Sequence, residues 1–361
     1  MMIPRRRVFA VICSNGLGHF RRSIGLLARL VERVPAAEIE VVCEGWQLDR
    51  KRGFAPLRRL EEAGVRWHTG IMSPGVEWHG RGDRFDDGRL HAWYDRLIAI
   101  DRLTSADLVL SDNLVGVLES RRDTVLVGSF LWSEVFRGLR TRDEEMTKFC
   151  AWEERLLAAV KPPMICVGDL AMPGLLASTS PVPTGWMSEP AEAESHPQAH
   201  AGAVLVQGGA GAAGRLELEL ACRALLQVDL WPVVVERALA PESSGRRIDA
   251  VRGQSVAAGP LVVVCRPGTG TLCECVEAGV PVLALHESDS PEMEHNARRV
   301  VELGLGESLP SDFTAEEVVA AVKRLASPES REAVRRRCAE FDRHGLDEAA
   351  TWLADRLAGA S

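Results

Sequence analysis

Residues Leu261 to Gly306 read LVVVCRPGTGTLCECVEAGVPVLALHESDSPEMEHNARRVVELGLG, and this stretch decides the fold of the chain. Leu261 to Cys265 are apolar and rich in β-branched residues, which predicts a buried parallel strand. Arg266 to Thr271 predict a small-residue turn, and the apolar spacing after it predicts a helix that ends at Gly279. A second strand is predicted over Val280 to Leu285. A strand, a small-residue turn and a helix N-terminus together present backbone N–H groups and a positive helix end to a phosphate.

Three motifs within this stretch resemble the donor-binding half of GT-B nucleotide-sugar glycosyltransferases. They are RPGTGTLCE at 266–274, GVP at 279–281 and EMEHNA at 292–297. The similarity is greatest to the peptidoglycan GlcNAc-transferase-like (family 28-like) group and its bacterial and archaeal relatives. The resemblance implies that the small-residue turn holds the diphosphate of the donor, that Glu274 binds the ribose and that Glu292 contacts the sugar. The residues assigned to the diphosphate in this way are Arg266, Gly268, Thr269, Gly270 and Thr271. Met293 departs from the family pattern, in which glutamine is common.

The length of the chain and a change in its composition predict two domains. At 361 residues the chain is too long for one ordinary domain. The resemblance implies an α/β protein of the GT-B fold, with two facing Rossmann-like domains and a cleft between them. Residues 1–171 are expected to form an N-terminal acceptor-binding domain, and residues 203–345 a C-terminal donor-binding domain. The proline-containing segment 172–202 is predicted to be the interdomain linker. The helix within 346–361 is expected, by analogy with the family, to return to the N-terminal domain.

Charge and cysteine usage disfavour several classes of protein. A formal net charge of −8 at pH 7 argues against a nucleic-acid binder. The nine cysteines lack the paired spacing of a zinc site, so no metal site is predicted. Scattered thiols in odd number are typical of a reducing cytosol, which predicts a cytoplasmic protein. No apolar run reaches about 18 residues, so no membrane span is expected.

The N-terminal strand is followed by a second loop that contains glycines. Val8 to Cys13 predict a buried strand, and residues 14–19 (SNGLGH) form the loop before an amphipathic helix. A nicotinamide dinucleotide site is disfavoured because Arg21 occupies the place of the third glycine of its fingerprint. The loop instead resembles the first loop of GT-B transferases and of the related pseudaminic-acid-pathway nucleotide-sugar hydrolase. The matching residues are Gly16, Gly18, His19 and Arg22, and Asn15 lies in the same loop.

His19 is the candidate general base. Displacing a nucleoside diphosphate from an anomeric carbon requires a base that takes the proton of the incoming hydroxyl, and an imidazole titrates near the working pH. The predicted position at a helix N-terminus favours the neutral ring. The alternative is a histidine that caps the helix or packs under the loop. Arg22, one turn further on, is expected to meet either a phosphate or a neighbouring carboxylate.

Asp112 ends the strand predicted over residues 106–112, at the carboxyl edge of the sheet. One interpretation is that its carboxylate orients His19 and stabilises the imidazolium, as a third group holds the base in nucleophilic enzymes. The other is that Asp112 caps the next helix. The residues alone leave both interpretations open.

The remaining candidates lie on the donor and acceptor sides of the expected reaction. Gly208 and Gly209 follow the first strand of the second domain, where a turn without side chains lets a phosphate approach the backbone. Arg237 follows another predicted strand and is expected to contact the phosphates or the base of the donor. Trp78 lies in a segment rich in Gly, Asp and His, and Trp132 follows a strand; both are expected on the acceptor side, with core packing as the alternative.

These inferences predict a metal-independent hexosyltransferase of the GT-B type. It would move a sugar from a nucleoside-diphosphate sugar, with UDP favoured, to a hydroxyl of a small soluble acceptor such as a nucleoside, an antibiotic or another metabolite. The donor is a co-substrate, and no cofactor, nucleic acid or membrane is expected to take part. Two alternatives remain: a nucleotide-sugar hydrolase or epimerase on the same scaffold, and a non-catalytic nucleotide-sugar-binding protein.

Overall fold

The computed structural model describes residues 6–50, 53–71, 96–97, 99–189, 202–208, 214–236, 239, 246–248, 256 and 259–359. The chain divides into two compact units. The first unit comprises Met1–Gly185 and His344–Ser361, and the second comprises Trp186–Arg343.

The described strands form one sheet in each unit. The strands of the first unit are β1 Arg7–Ile12, β2 Glu38–Val42, β3 Arg66–His68, β4 Leu108–Asp112, β5 Val125–Val127, β6 Pro163–Val167 and β7 Ser180–Thr184. The strands of the second unit are β8 Val204–Gln207, β9 Val233–Glu236, β10 Arg246–Ile248, β11 Val262–Cys265, β12 Val282–Ala284 and β13 Gly306–Ser308. Every strand pair in both sheets is parallel.

Helices connect these strands, as parallel pairing requires. In the first unit they are α1 Leu17–Arg33, α2 Gly45–Arg50, α3 Ala55–Glu62, α4 Asp101–Ser105, α5 Trp132–Gly138, α6 Glu144–Val160 and α7 Pro173–Ser178. In the second unit they are α8 Arg215–Val228, α9 Thr269–Ala278, α10 Pro291–Glu302, α11 Ala315–Leu325 and α12 Pro328–Glu340. The last helix, α13 Gly345–Gly359, belongs to the first unit, which also contains short 3-10 helices at Val115–Glu119 and Gly168–Leu170.

Both sheets have the strand order of a doubly wound fold. The first sheet runs β3-β2-β1-β4-β5-β6-β7, and the second runs β10-β9-β8-β11-β12-β13. In each sheet the order reverses beside the first strand, between β1 and β4 and between β8 and β11. Ligands of such folds bind beyond the carboxyl ends of the strands at this switch point. The topology therefore marks one candidate site in each unit.

The linker predicted over residues 172–202 is corrected in its first half. Residues 173–178 form α7, and β7 pairs with β6 from Ser180 opposite Pro163 to Thr184 opposite Val167. Pro181 and Pro183 suggested a linker, but β7 is the edge strand of the sheet, where proline is tolerated because one side of the strand needs no partner. Residues 190–201 lie outside the described part of the chain.

All nine cysteines are buried and free of disulfide bonds. Burial raises the pKa of several of these thiols, for example to about 12 at Cys43 and to about 11 at Cys166. In the described part of the chain, no group of three or more His, Cys, Asp and Glu side chains could hold a metal ion. No helix among these residues is long and apolar enough to cross a membrane.

The C-terminal helix α13 completes the core of the first unit. It packs along α1 with a buried face that consists of Leu346, Ala349, Ala350, Leu353 and Leu357. At the rim of this contact, the Arg33 guanidinium donates to Asp347 Oδ1 at 2.7 Å and to Thr351 Oγ1 at 3.0 Å. Because exposed ion pairs contribute little, the buried apolar face is the main stabilising element of the contact.

We expect Leu353→Ala to destabilise the first unit selectively. Leu353 is fully buried, and removing such a side chain typically costs about 2–5 kcal/mol. Amide hydrogen exchange should show faster exchange in α1 and unchanged exchange in α8. Leu325→Ala, in the core of the second unit, is the matched control. It should speed amide exchange in α8 and leave exchange in α1 unchanged. Equal loss of protection in both units from each variant would contradict this assignment of α13.

Candidate active site

The loop after β1 is held rigidly at the switch point of the first sheet. Gly16 adopts φ 91° directly before α1, a conformation that strains residues with a side chain. Gln47, buried in α2, donates its side-chain amide to the carbonyls of Cys13 and Gly16, each at 3.0 Å. Asn15 and Gly18 are exposed beside it. Sequence reasoning missed Gln47, which fixes the loop and with it the start of α1.

His19 and Asp112 meet at this switch point. Ile12 at the end of β1 lies opposite Asp112 at the end of β4, and α1 begins five residues after Ile12. His19 Nδ1 lies 2.6 Å from Asp112 Oδ1. A carboxylate only accepts hydrogen bonds, so Nδ1 carries a proton, and in the neutral ring the lone pair is then on Nε2. Asp112 therefore selects the tautomer in which Nε2, the ring nitrogen that does not contact Asp112, can accept a proton.

Two further side chains hold the Asp112 carboxylate. Arg22 donates from Nη2 to Oδ1 at 2.8 Å and from Nε to Oδ2 at 3.3 Å. Ser23 Oγ donates to Oδ2 at 2.6 Å. Burial would raise the pKa of Asp112, but the charges of Arg22 and His19 and the hydrogen bonds from His19 and Ser23 outweigh it and hold the pKa below its usual value. Asp112 therefore remains ionised although it is buried.

An aromatic row extends from His19 into the core. The Phe130 ring lies 6.1 Å from the His19 ring at an interplanar angle of 72°. The ring centroid of Trp132 lies 5.0 Å from that of Phe130, at an interplanar angle of 90°, and 5.7 Å from that of Phe136. Trp132 is only 3% exposed, so its ring is a core element directly behind Phe130. Trp78, the other tryptophan expected on the acceptor side, lies outside the described residues.

Two carboxylates anchor the first turn of α5, which contains Trp132. Glu153 of α6 accepts from the Ser133 backbone N–H at 2.6 Å. Burial raises the pKa of Glu153 to about 7 against the opposing effect of its hydrogen bonds with Ser133. Glu134 of α5 caps α7 by accepting from the N–H groups of Gly174 at 2.6 Å and Leu175 at 3.1 Å. These contacts fix the position of Trp132 relative to α6 and α7.

The second unit places the small-residue motif at the switch point between β8 and β11. The predicted turn is shorter than expected, because α9 already begins at Thr269. Thr269, Gly270 and Thr271 therefore form the first turn of the helix, and their N–H groups belong to its N-terminus. Open space lies where Gly268, which caps this helix, would carry a Cβ atom. This N-terminus has the geometry that anions bind.

Arg266 forms an ion pair that the sequence did not reveal. Its Nη2 lies 2.7 Å from Glu287 Oε1 and its Nε lies 3.0 Å from Glu287 Oε2. Burial would raise the pKa of Glu287, but the hydrogen bonds and charge of Arg266 outweigh it and lower the pKa. A Cβ atom at Gly214 would be 3.0 Å from both side chains, so the glycine lets the start of α8 approach the pair.

The other predicted donor residues that the structure describes lie on separate elements of the second unit. Glu274 is half-buried on α9, and Glu292 is half-buried in the first turn of α10. The Gly208 N–H donates to Glu236 Oε2 at 2.8 Å. Met293, where the family commonly has glutamine, is 1% exposed and packs in the core. Gly209 and Arg237 lie outside the described residues.

Comparison with known proteins agrees with this architecture. Residues 254–349 match the Glycosyltransferase family 28 C-terminal domain. The structure of CalG4, the calicheamicin glycosyltransferase, is similar with a TM-score of 0.63 and 20% identity, covering 99% of this chain and 100% of that one. LpCGTa in complex with UDP is similar with a TM-score of 0.66 and 18% identity, covering 98% and 100%. The structure of the glycotransferase of kitacinnamycin is similar with a TM-score of 0.64 and 17% identity, covering 98% of this chain and 100% of that one. No curated protein sequence matches the chain.

These findings define the class of the protein. The chain has the GT-B fold, and the residues that match the glycosyltransferase family 28 C-terminal domain lie mostly in its second unit. The fold class predicted from the sequence is therefore confirmed. The finer resemblance to the peptidoglycan GlcNAc-transferase-like group and to the pseudaminic-acid-pathway hydrolase stays a prediction.

We expect Glu153→Gln to change how stability depends on pH. Gln retains an oxygen for the Ser133 N–H but cannot ionise. Burial raises the pKa of Glu153 from 4.5 to about 7, so its stabilising contribution is complete below 4.5 and is lost as the pH rises through 7. The free energy of unfolding of the wild type should therefore fall, relative to that of the variant, by up to about 3 kcal/mol across this range.

Urea unfolding at a series of pH values measures this difference. Glu144→Gln, at an exposed position in the first turn of α6, is the control and should follow the wild-type pH dependence. Parallel pH profiles for the wild type and Glu153→Gln would contradict the role given to the buried carboxyl group.

Proposed function

We propose that the protein is a glycosyltransferase that moves a hexose from a UDP-sugar to a hydroxyl of a small acceptor, with His19 as general base. The observation that carries the proposal is the 2.6 Å contact between His19 Nδ1 and Asp112 Oδ1 at the switch point of the first sheet. When the ring is neutral, this contact leaves Nε2 as the basic nitrogen, which is what general-base catalysis needs. The buried free thiols support a cytoplasmic setting.

The proposed reaction is a direct displacement. His19 Nε2 takes the proton of the acceptor hydroxyl while the acceptor oxygen forms a bond to the anomeric carbon. The bond from that carbon to the diphosphate oxygen breaks, its electron pair leaves with UDP, and the anomeric configuration inverts. Asp112 stabilises the imidazolium that forms, and Arg22 and Ser23 keep Asp112 ionised and in place.

The second unit is proposed to hold the donor. The N-terminus of α9 offers the N–H groups of Thr269, Gly270 and Thr271 to the diphosphate, and Arg266 adds a positive charge nearby. These groups supply the charge that the leaving diphosphate requires, which supports a metal-independent mechanism. Glu274 is proposed to bind the ribose and Glu292 the sugar, on the resemblance of their motifs to the family. The UDP bound to LpCGTa supports the choice of nucleotide.

The acceptor is proposed to be a small hydroxylated metabolite. The support is the similarity in fold to the calicheamicin glycosyltransferase and the glycotransferase of kitacinnamycin, whose names refer to natural products. A hydrolase would instead release the sugar to water. Rapid sugar release in the absence of any acceptor, with no transfer product across a panel of hydroxylated metabolites, would favour that alternative.

We expect His19→Ala to lower turnover by about 10²–10⁴-fold, because it removes the general base. Its affinity for UDP, measured by calorimetry, should not change. Glu274→Ala is the complementary control. It should weaken UDP binding and leave the His19–Asp112 pair intact. Transfer is measured by mass spectrometry of the glycosylated product. Wild-type turnover by His19→Ala would contradict the assignment of the base.

A further inference from the structure

Arg22 contacts both members of the His19–Asp112 pair. Its Nη2 atom lies 2.8 Å from Asp112 Oδ1 and 3.3 Å from His19 Nδ1. Asp112 Oδ1 accepts the hydrogen bond from Nδ1, so Nη2 and Nδ1 are both donors and their own contact is not a hydrogen bond. A guanidinium, whose charge is permanent in proteins, therefore lies directly beside the ring of the candidate base.

The three side chains are largely shielded from solvent. The exposed fractions of the His19, Arg22 and Asp112 side chains are 12%, 11% and 1%. Charges that are shielded in this way are screened less by water and salt than charges at the surface. Arg22 follows His19 by three residues on α1, a spacing that places both side chains on one face of the helix. The position of the guanidinium beside the ring therefore follows from the helix geometry.

The other groups that act on this cluster are uncharged. Ser23 Oγ donates to Asp112 Oδ2 as a neutral hydroxyl. The Cys166 thiol of β6 lies close enough to Arg22 to feel its charge, but burial raises the pKa of Cys166 to about 11, so the thiol is neutral at physiological pH. Among the residues that the structure describes, Asp112 and Arg22 are therefore the charged side chains in contact with His19.

Asp112 and Arg22 have opposite effects on the protonation of His19. A carboxylate next to an imidazole favours the imidazolium, and a positive charge next to the ring disfavours it. Acting alone, Asp112 would favour a second proton, on Nε2, and a ring that is already protonated cannot accept the proton of a hydroxyl. The base thus needs the orienting hydrogen bond of Asp112 without the full effect of its charge.

We propose that Arg22 acts on the reaction through His19: its charge offsets that of Asp112 and keeps the ring neutral until the acceptor hydroxyl transfers its proton. The hydrogen bond from Nδ1 to Asp112 stays in place, so the orientation of the ring is retained. After the transfer, the same charge favours release of the proton from the imidazolium to water, which restores the base. This inference rests on the proposed function, because it concerns the residue taken as the general base.

A titration of the His19 ring tests the proposal without any substrate. The Cε1–H signal of His19, identified by its loss in His19→Gln, is followed by NMR against pH. The midpoint of this titration should lie about 1–3 pH units higher in Arg22→Gln than in the wild type, the size of effect that a neighbouring charge exerts. Arg22→Lys keeps the charge, so its midpoint should lie closer to that of the wild type.

Arg21→Gln is the matched control. It removes the same charge one residue earlier on α1, where side chains at this spacing from His19 point away from it. The Arg21 guanidinium lies over the Phe54 ring, 5.8 Å from the ring centre. Arg21→Gln should therefore move the midpoint of the His19 titration far less than Arg22→Gln does.

A second background covers the case in which Arg22→Gln does not fold. Removing Arg22 alone leaves the buried Asp112 carboxylate without its counter-charge, whereas replacing both members of a buried ion pair is tolerated better. In Asp112→Asn the charge of Arg22 acts on His19 unopposed, so the midpoint should fall below that of the wild type. Adding Arg22→Gln to Asp112→Asn should raise the midpoint again.

Equal midpoints for the wild type and Arg22→Gln, or for Asp112→Asn with and without Arg22→Gln, would overturn the proposal. A lower midpoint in Arg22→Gln would overturn it as well. None of these results would remove His19 as the candidate base.

The pH dependence of transfer tests the proposed function separately. The acid limb of kcat/KM reports the essential base of the free enzyme, so it should move with the NMR midpoint in Arg22→Gln. If the midpoint moves and the acid limb does not, His19 is not the base, and the effect of Arg22 on the ring still stands.

Discussion

The buried carboxylate of Asp112 is the group on which the site in the first unit depends. It accepts hydrogen bonds from His19, Arg22 and Ser23. Two of these partners carry or can acquire a positive charge, so the carboxylate stays ionised although it is buried. Its position at the end of β4, opposite Ile12 of β1, follows from the reversal of strand order. The doubly wound topology thus places an acid and an imidazole at one point, although 93 residues separate them in sequence.

The second unit uses the same topology for a different chemistry. There the switch point presents a helix N-terminus with an adjacent arginine, which suits the binding of an anion. Arg266 is positioned by Glu287, much as Arg22 is by Asp112. The carboxylates orient the guanidinium groups and also offset part of their charge. One unit therefore carries the candidate base and the other carries the candidate anion site. The proposed transfer reaction requires both, a base for the acceptor hydroxyl and a site for the diphosphate of the donor.

Local sequence pattern predicted much of this fold but few of its long-range contacts. The buried strand that ends at Cys265 and the helix that ends at Gly279 follow directly from apolar spacing and agree with the structure. The partners Ser23, Gln47 and Glu287 were missed, because a serine, a glutamine and a glutamate have no distinctive spacing and gain their roles only when distant elements meet. Proline content suggested a linker where an edge strand lies, since composition does not show which side of a strand needs partners.

The state of the His19 ring tests the central claim most directly. Long-range ¹H–¹⁵N NMR of histidine-labelled protein distinguishes the two ring nitrogens when the ring is neutral, and His19→Gln identifies the signals. The account predicts a proton on Nδ1, held by Asp112, and a bare Nε2, with this preference weakened in Asp112→Asn. A proton on Nε2 in the wild-type protein would contradict the account, because the nitrogen meant to receive the acceptor proton would already be occupied.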